Sequence, residues 1–137
     1  MVSKRARSSN NGIRYFRFYH AMADTPAWAS LTCAQRCVYL ALAMRFSGYN
    51  NGAIGISVRA AAREANCNKD TAATALNILC ERGFIQRTQE GAFSYKTRHS
   101  ALYRLTHLPV EHGNNQTPAT FEFRSWRPNK KDRSGSR

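Results

Sequence analysis

Residues 57–85 read SVRAAAREANCNKDTAATALNILCERGFI and decide the fold. Ser57 and Asn68 are residue types that cap the N-termini of helices, and small apolar residues at helical spacing follow each of them. Asn66 tolerates the left-handed conformation that ends a helix, and Gly83 closes the second one. The pattern predicts two short helices joined by a tight turn, a helix-turn-helix. The expected buried stripes are Val58, Ala61, Ala62 and Ala65, then Ala72, Ala75, Leu76 and Leu79.

A longer amphipathic helix is expected before this pair. Thr32 is a good N-cap, and apolar residues recur at helical spacing from there to Gly48, which predicts a helix over residues 33–47. Leu40 lies off the stripe, so the aromatic N-terminal segment is expected to cover it. A short strand over residues 53–56 follows an Asn-Gly turn. The expected buried stripe of this helix is Ala34, Cys37, Val38, Ala41 and Leu42.

Two strands are expected after the pair, over residues 84–88 and 101–106. The segment between them, residues 89–100, contains Gly91 and a basic cluster, so it predicts a hairpin with a basic tip, a wing. The cluster consists of Lys96, Arg98 and His99. The fold class is therefore mainly α with a small β-hairpin (α+β), as a winged helix-turn-helix.

Three segments follow from this pattern. Residues 1–12 are expected to be a disordered basic N-terminal arm, since they lack any apolar period. Residues 13–107 form the winged helix-turn-helix domain. Residues 108–137 are expected to be a basic, mostly irregular C-terminal tail. Three aromatic residues in this tail are large and apolar, so we expect them to be buried by docking on the domain or on a second copy; they are Phe121, Phe123 and Trp126.

The charge of the chain points to a polyanionic partner. It has 21 Lys plus Arg against 8 Asp plus Glu, a net charge of +13, and such an excess is typical of nucleic-acid binding. Both ends are richer in basic residues than the middle, which suits flexible arms that follow a phosphate backbone; improved solubility is the alternative explanation. The expected arm contacts are Lys4, Arg5, Arg7, Lys130 and Lys131.

Several classes of protein are disfavoured by the composition. No apolar run is long enough to span a membrane, and no hydrophobic signal core follows Met1, so we expect a cytoplasmic protein associated with the bacterial nucleoid. Clustered carboxylates, nucleophile–His arrangements, glycine-rich phosphate loops and zinc spacings are absent, so we expect no enzyme, no cofactor and no metal. The cysteines are expected to act as small apolar residues inside helices; they are Cys33, Cys37, Cys67 and Cys80.

The segment of residues 57–85 resembles the helix-turn-helix of bacterial regulators of the GntR and MarR kind. Its most specific parts are residues 68–71, Ala75-Leu76, Leu79 and residues 81–85, and the likeness spans roughly residues 32–106. The resemblance implies a DNA-binding domain whose second helix enters the major groove. We expect the chain to depart from both families, without the large effector domain of the first and the long dimerisation helices of the second.

The exposed face of the second helix carries the expected base contacts. Asn77 could pair with adenine through two hydrogen bonds and Lys69 with guanine or phosphate, while the Thr71 and Thr74 methyl groups could meet thymine. Asp70 could accept a hydrogen bond from the cytosine amine, or its carboxylate could simply be stabilised by the helix dipole in the first helical turn. Both interpretations stay open. The complete set of expected base-reading residues is Asn68, Lys69, Asp70, Thr71, Thr74 and Asn77.

Phosphate contacts are expected from the first helix of the pair and from the wing, where they would position the protein without reading sequence. Arg87 and Arg104 lie on predicted strands and are equally consistent with outward-facing sheet residues. The expected phosphate-binding residues are Ser57, Arg59, Arg63, Lys96, Arg98 and His99.

Taken together, the sequence predicts sequence-specific binding of double-stranded DNA by a transcriptional regulator, with residues 69–82 as the recognition helix. A homodimer on a palindromic site is an open possibility. One alternative is a plasmid or phage replication initiator or a recombination accessory protein. An alternative of another class is a protein- or RNA-interaction module.

Overall fold

The computed structural model describes residues 12–93 and 98–129 and has an α+β architecture. Its α-helices are α1 His20–Ala23, α2 Pro26–Ala29, α3 Cys33–Ala43, α4 Val58–Ala65 and α5 Lys69–Glu81, and a 3₁₀-helix covers Glu122–Arg124. Its strands are β1 Ile54–Gly55, β2 Ile85–Gln89, β3 Ala92–Phe93, β4 Arg98–His99, β5 Leu102–Leu105, β6 Val110–His112 and β7 Asn115–Thr117. None of these described helices has the length and apolarity to cross a membrane.

Side-chain caps begin the three longest helices at the predicted residues. Thr32 and Gln35 form a reciprocal capping box at the start of α3, in which each side chain accepts from the other residue's backbone N–H, at 3.2 and 2.9 Å. Ser57 Oγ accepts from the third residue of α4 at 3.0 Å, and Asn68 Oδ1 accepts from the third residue of α5 at 2.7 Å. Each cap satisfies an N–H that has no partner within its helix. Local sequence therefore sets these helix starts.

The turn between α4 and α5 has the predicted left-handed residue. Asn66 has φ 57° and ψ 50°, and the N–H of Cys67 reaches back to the Ala62 carbonyl at 2.9 Å, as in a Schellman motif. Gly83 ends α5 in the same way at φ 86°. A Cβ on Gly83 would also lie 2.6 Å from the backbone of Glu122, so this position requires glycine for space as well as for conformation.

Helix α3 ends earlier than the predicted 33–47. Its last helical residue is Ala43, and the side chain of Asn50 takes over the backbone groups that follow. Asn50 Oδ1 accepts from the Ser47 N–H at 2.7 Å, and its Nδ2 donates to the Arg45 carbonyl at 3.0 Å. The prediction was therefore too long, because a side chain beyond the helix satisfies groups that another helical turn would have used.

The buried face of α3 also differs from the predicted stripe. Tyr39 is fully buried, whereas Cys37 and Cys33 are exposed. The ring of Phe18 lies against Tyr39 and Trp28, so the N-terminal segment covers that side and leaves Leu40 43% exposed. The expectations of a buried Cys37 and a covered Leu40 are therefore wrong. Cys67 lies in the turn after α4 rather than inside a helix.

The main sheet has three antiparallel strands in the order β1-β5-β2. Ile54 of β1 lies opposite Tyr103 of β5, and Ile85 of β2 lies opposite Leu105. The β2–β5 register shifts just after Arg87, which is an irregularity of the β-bulge kind. Strands were expected at all three of these places, and each observed bound differs from the predicted one by one residue.

The hairpin expected over residues 89–100 is present in its described part. Strands β3 and β4 pair antiparallel, with Ala92 opposite His99 and Phe93 opposite Arg98. Its tip, residues 94–97, lies outside the described residues, as does the expected N-terminal arm up to residue 11.

The core lies where α3, α4 and α5 pack on one another and on the sheet. Its centre is aromatic: Trp28 and Tyr39 meet Phe84 edge to face, with ring centroids 5.5 and 6.0 Å apart. Leu76 and Leu79 anchor α5 in this core. The largest fully buried side chains are Tyr39, Tyr103, Phe84, Phe123, Met22, Leu42, Ile54, Leu76, Leu79, Ile85, Leu105 and Val38.

The C-terminal segment differs from the mostly irregular tail expected for residues 108–137. Its described part contains the β6–β7 hairpin and the 3₁₀-helix. Phe123 is 1% exposed and stacks on Phe84 with ring centroids 5.2 Å apart and an interplanar angle of 5°. Arg82 lies over the Trp126 ring at 4.7 Å. The aromatic residues therefore dock on this same chain, and long-range packing orders a segment that has no local pattern.

Candidate nucleic-acid interface

One face of α5 is open to solvent and is built from polar side chains. Lys69, Asp70, Thr74 and Asn77 are exposed, and the last three recur at positions i, i+4 and i+7 of one helix face. Thr71 is half-buried, so it belongs to the edge of this face rather than to its centre. The opposite side of the helix is buried through Ala72, Ala75, Leu76 and Leu79.

Asn68 has a structural task that limits the role predicted for it. Its Oδ1 accepts the Thr71 N–H at 2.7 Å and so caps α5. The cap uses one of the two acceptor positions of Oδ1, and the side chain is exposed. Asn68 is therefore first a capping residue, and a two-bond contact to a base through its amide would compete with the cap.

Helix α4 presents two arginines to solvent. Arg59 and Arg63 are exposed, one turn apart, and neither takes part in an ion pair among the described residues. The acid that directly follows Arg63 in sequence, Glu64, is bound elsewhere by Arg45 at 2.7 Å. Ser57, at the start of α4, is half-buried and its hydroxyl accepts the cap hydrogen bond. The two arginines are free to take an anionic partner.

The predicted contacts on the hairpin and the arms lie mostly beyond the described residues. His99 is exposed on β4, with its Nδ1 3.3 Å from the Ser100 carbonyl oxygen. Arg98 is described only in its backbone. The predicted contacts at Lys4, Arg5, Arg7, Lys96, Lys130 and Lys131 lie outside the described residues.

A groove of about 510 Å³ separates α5 from the sheet and the β3–β4 hairpin. Ser57, Asn77 and His99, which lie far apart in sequence, all line it. Arg87 of β2, Tyr103 of β5 and Glu90, which directly follows β2, add to its polar lining. The structure thus brings together three predicted contact residues and three that sequence reasoning did not assign to the site.

Arg87 is the centre of a polar cluster in this groove. Its Nη2 donates to Asn77 Oδ1 at 3.2 Å and to the Tyr103 hydroxyl at 3.3 Å, and its Nε donates to the same hydroxyl at 3.4 Å. The hydrogen bonds that Arg87 donates to the Tyr103 hydroxyl raise the pKa of Arg87 above its ordinary value, and burial raises the pKa of Tyr103. Glu90 lies 3.8 Å from Arg87 Nη1. The guanidinium is therefore charged and fixed beside α5.

Sequence reasoning missed this role, because a strand arginine looks the same whether it points to solvent or to a neighbouring helix. The orientation of Arg104 was equally hard to predict from the sequence, and its side chain points into the protein. It is 5% exposed, and its Nη2 donates to the carbonyls of Leu108 and Pro118 at 3.1 and 3.2 Å. Arg104 therefore holds the C-terminal segment in place and is neither an outward-facing sheet residue nor a phosphate contact.

Within residues 12–93 and 98–129, no three His, Cys, Asp or Glu side chains come close enough to hold a metal ion. The polar groups of the groove include the donors of Arg87, the acceptor oxygens of Glu90 and side chains that both donate and accept, such as Asn77. The chain matches no family model, no curated protein and no solved structure in comparisons with known proteins. The placement of its own side chains is thus the basis for any functional assignment.

Proposed function

We propose that this chain is a sequence-specific DNA-binding protein of winged helix-turn-helix architecture that acts as a transcriptional regulator. The observation that carries the proposal is the polar, sterically open face of α5, held beside a groove that α4 and the hairpin strands line. Helices of this kind enter the major groove and read base edges. In this assignment α5 is the recognition helix and the β3–β4 hairpin is the wing.

Base reading is assigned to the exposed residues of α5. Asp70, Thr74 and Asn77 carry short side chains, so the helix backbone can approach the floor of the groove closely. Their hydrogen-bonding groups and the Thr74 methyl group match the donors, acceptors and thymine methyl that the major groove displays. Lys69, at the first helical position, suits guanine or a flanking phosphate.

Phosphate binding is assigned to residues around this helix. Arg59 and Arg63 supply unneutralised charge from α4, and Ser57 and His99 lie on either side of the groove. The net charge of +13 supports strong, salt-dependent attraction to a polyanion. Such contacts set the register and affinity but carry no sequence information.

Selection from a random duplex library with the full-length protein tests the proposal. We expect one enriched motif, bound about 10³-fold or more tightly than random duplex at physiological salt. Filter binding across a salt series, with random duplex and single-stranded RNA as competitors, supplies the control. Equal affinity for all three nucleic acids would contradict sequence-specific binding and favour an RNA- or protein-interaction module.

The arrangement of the selected sites separates the remaining alternatives. A palindromic footprint with half-sites about one helical turn apart would indicate a homodimer. A single asymmetric site would indicate a monomer. Sites that recur as an array of direct repeats would favour a replication initiator or recombination accessory protein over a transcriptional regulator.

A further inference from the structure

We propose that Arg87, on β2, fixes the orientation of the Asn77 side-chain amide and thereby makes guanine the preferred base opposite this part of α5. The proposal rests on the proposed function, because it concerns the base preference of the same interface. Sequence reasoning assigned Asn77 to adenine. The contact with Arg87 changes that assignment.

The hydrogen bond between these two side chains leaves one orientation for the amide. Arginine has only N–H donors, so the Asn77 atom 3.2 Å from Arg87 Nη2 is the oxygen, Oδ1. The oxygen and the NH₂ group diverge from the same carbon, so the NH₂ group points away from Arg87. A two-bond pair with adenine needs Oδ1 to accept from N6 while Nδ2 donates to N7. Arg87 occupies one of the two acceptor positions of Oδ1, and its positive charge repels a further N–H donor there, so the pair with adenine is disfavoured.

Arg87 is held by the sheet rather than by α5. Tyr103 lies opposite Arg87 in the β2–β5 register and is 2% exposed. Its hydroxyl accepts from two nitrogens of the guanidinium, and its ring centre lies 5.4 Å from the guanidinium carbon. The register shift just after Arg87 is the kind of irregularity that redirects a side chain. Asn77 is thus oriented by a group whose own position is set by a rigid support.

The donors that remain at this place match guanine. Asn77 Nδ2 offers two N–H groups, and the Arg87 Nη1 N–H groups form no hydrogen bond with another described residue, since Glu90 is 3.8 Å away. In the major groove guanine presents two acceptors, O6 and N7, whereas adenine presents one acceptor and the N6 donor. At adenine, one of these protein donors would face the N6 donor of the base. The paired donors of Asn77 and Arg87 therefore favour guanine over adenine at this place.

Duplex selection with the wild-type chain and single variants tests this inference. The wild-type motif should contain one guanine whose replacement by adenine lowers affinity about 10-fold. Arg87→Met frees the amide to turn, so the same replacement should then cost less than about threefold, with the other positions of the motif unchanged. Arg59→Gln is the matched control: it removes the same charge and should weaken binding to every sequence alike while keeping the guanine preference.

Tyr103→Phe gives a second test that leaves the aromatic core filled. It removes only the hydroxyl that anchors Arg87, and we expect the guanine preference to fall part of the way. Thermal unfolding of each variant identifies any loss of fold, and Tyr103→Phe decides the matter if Arg87→Met does not fold. A wild-type preference for adenine, an unchanged guanine preference in the folded variants, or equal weakening at all motif positions would overturn this inference alone. Selection of no motif by the wild type would overturn the proposed function as well.

Discussion

Helices α4 and α5 expose different chemistry to solvent, although a turn of only three residues joins them. Helix α4 exposes Arg59 and Arg63, two long charged side chains, whereas the exposed face of α5 is centred on Asp70, Thr74 and Asn77. The first face attracts any polyanion, because its charge is not matched by a nearby acid. The second face carries little net charge and depends on fitted hydrogen bonds.

Under the proposed function, this difference assigns affinity and specificity to separate helices. Electrostatic contacts with phosphates are long-ranged, salt-dependent and indifferent to sequence. Contacts with base edges are short-ranged and lose their value when one group is replaced or displaced. A substitution on α5 should then change which DNA is bound, and a substitution on α4 should change how tightly all DNA is bound.

Thr74→Asp should produce the largest separation between specific and random DNA. Thr74 lies at the centre of the exposed face of α5, and a carboxylate there both loses the methyl contact and repels the groove. Affinity for the selected motif should fall about 100-fold, or about 2.7 kcal/mol, measured by competition binding. Asn114→Asp, in the β6–β7 turn, adds the same charge away from α5 and should change affinity little. Equal losses for motif and random duplex would refute base reading by α5.

Acid should lower the stability of the folded chain and therefore reduce binding by α4 and α5 together, because both helices pack in the same core. His107 is 5% exposed, and burial lowers its pKa from 6.5 to about 4. Above pH 6.5 the imidazole is neutral in both the folded and the unfolded chain, so it does not affect stability there. Between pH 6.5 and 4 the unfolded chain binds a proton that the folded chain does not, so the free energy of unfolding falls.

We expect His107 to account for a loss of about 2 kcal/mol over that range, measured by urea unfolding at pH 7 and pH 4.5. His107→Gln should remove this part of the pH dependence, and His112→Gln, at an exposed site, should retain it. If both variants keep the wild-type profile, His107 is not the group responsible. Binding comparisons between α4 and α5 variants are best made at pH 7 or above.

Replacing both Arg59 and Arg63 by alanine should lower affinity for all DNA without changing the preferred motif. Loss of two phosphate contacts should reduce affinity about 10-fold and decrease the slope of log K against log salt by about 2. The double variant Arg45→Ala/Glu64→Ala is the control, because it removes the ion pair at 2.7 Å without changing the net charge. A changed motif in the variant without Arg59 and Arg63 would show that α4 also contributes to base recognition.

The features of the α4–α5 helix pair that the sequence predicted are those that depend on neighbouring residues. The caps at Ser57 and Asn68, the left-handed Asn66 and the closing Gly83 each depend on a few neighbouring residues, and the structure has all of them. The exposed face of α5 also follows from helical spacing around its buried stripe. The division between a charged helix and a lightly charged helix was therefore already readable in the sequence.

The features that sequence reasoning missed depend on contacts between distant segments. Phe123 enters the core because Phe84, far earlier in the chain, offers a ring to stack on. Arg87 points to α5 because Tyr103 on the neighbouring strand holds it there. Cys37 is exposed because Tyr39 fills the core instead. No periodicity or motif within one segment carries this information, so the tail, the α3 face and the Arg87 cluster became visible only in three dimensions.

The turn between the helices offers the smallest effect and the test of whether the two faces act as one unit. Asn66 has a positive φ of 57°, a conformation that costs a residue with a Cβ about 1 kcal/mol. Asn66→Ala should therefore lower the free energy of unfolding by about that amount, whereas Asn66→Gly should stay near the wild type, both measured by urea unfolding. Under conditions where each variant is folded, binding to motif and to random duplex should match the wild type, because the turn contacts neither. If Asn66→Ala weakened motif binding while leaving random binding intact, the angle between α4 and α5 would itself be part of the specificity, and the assignment of separate tasks to the two helices would fail.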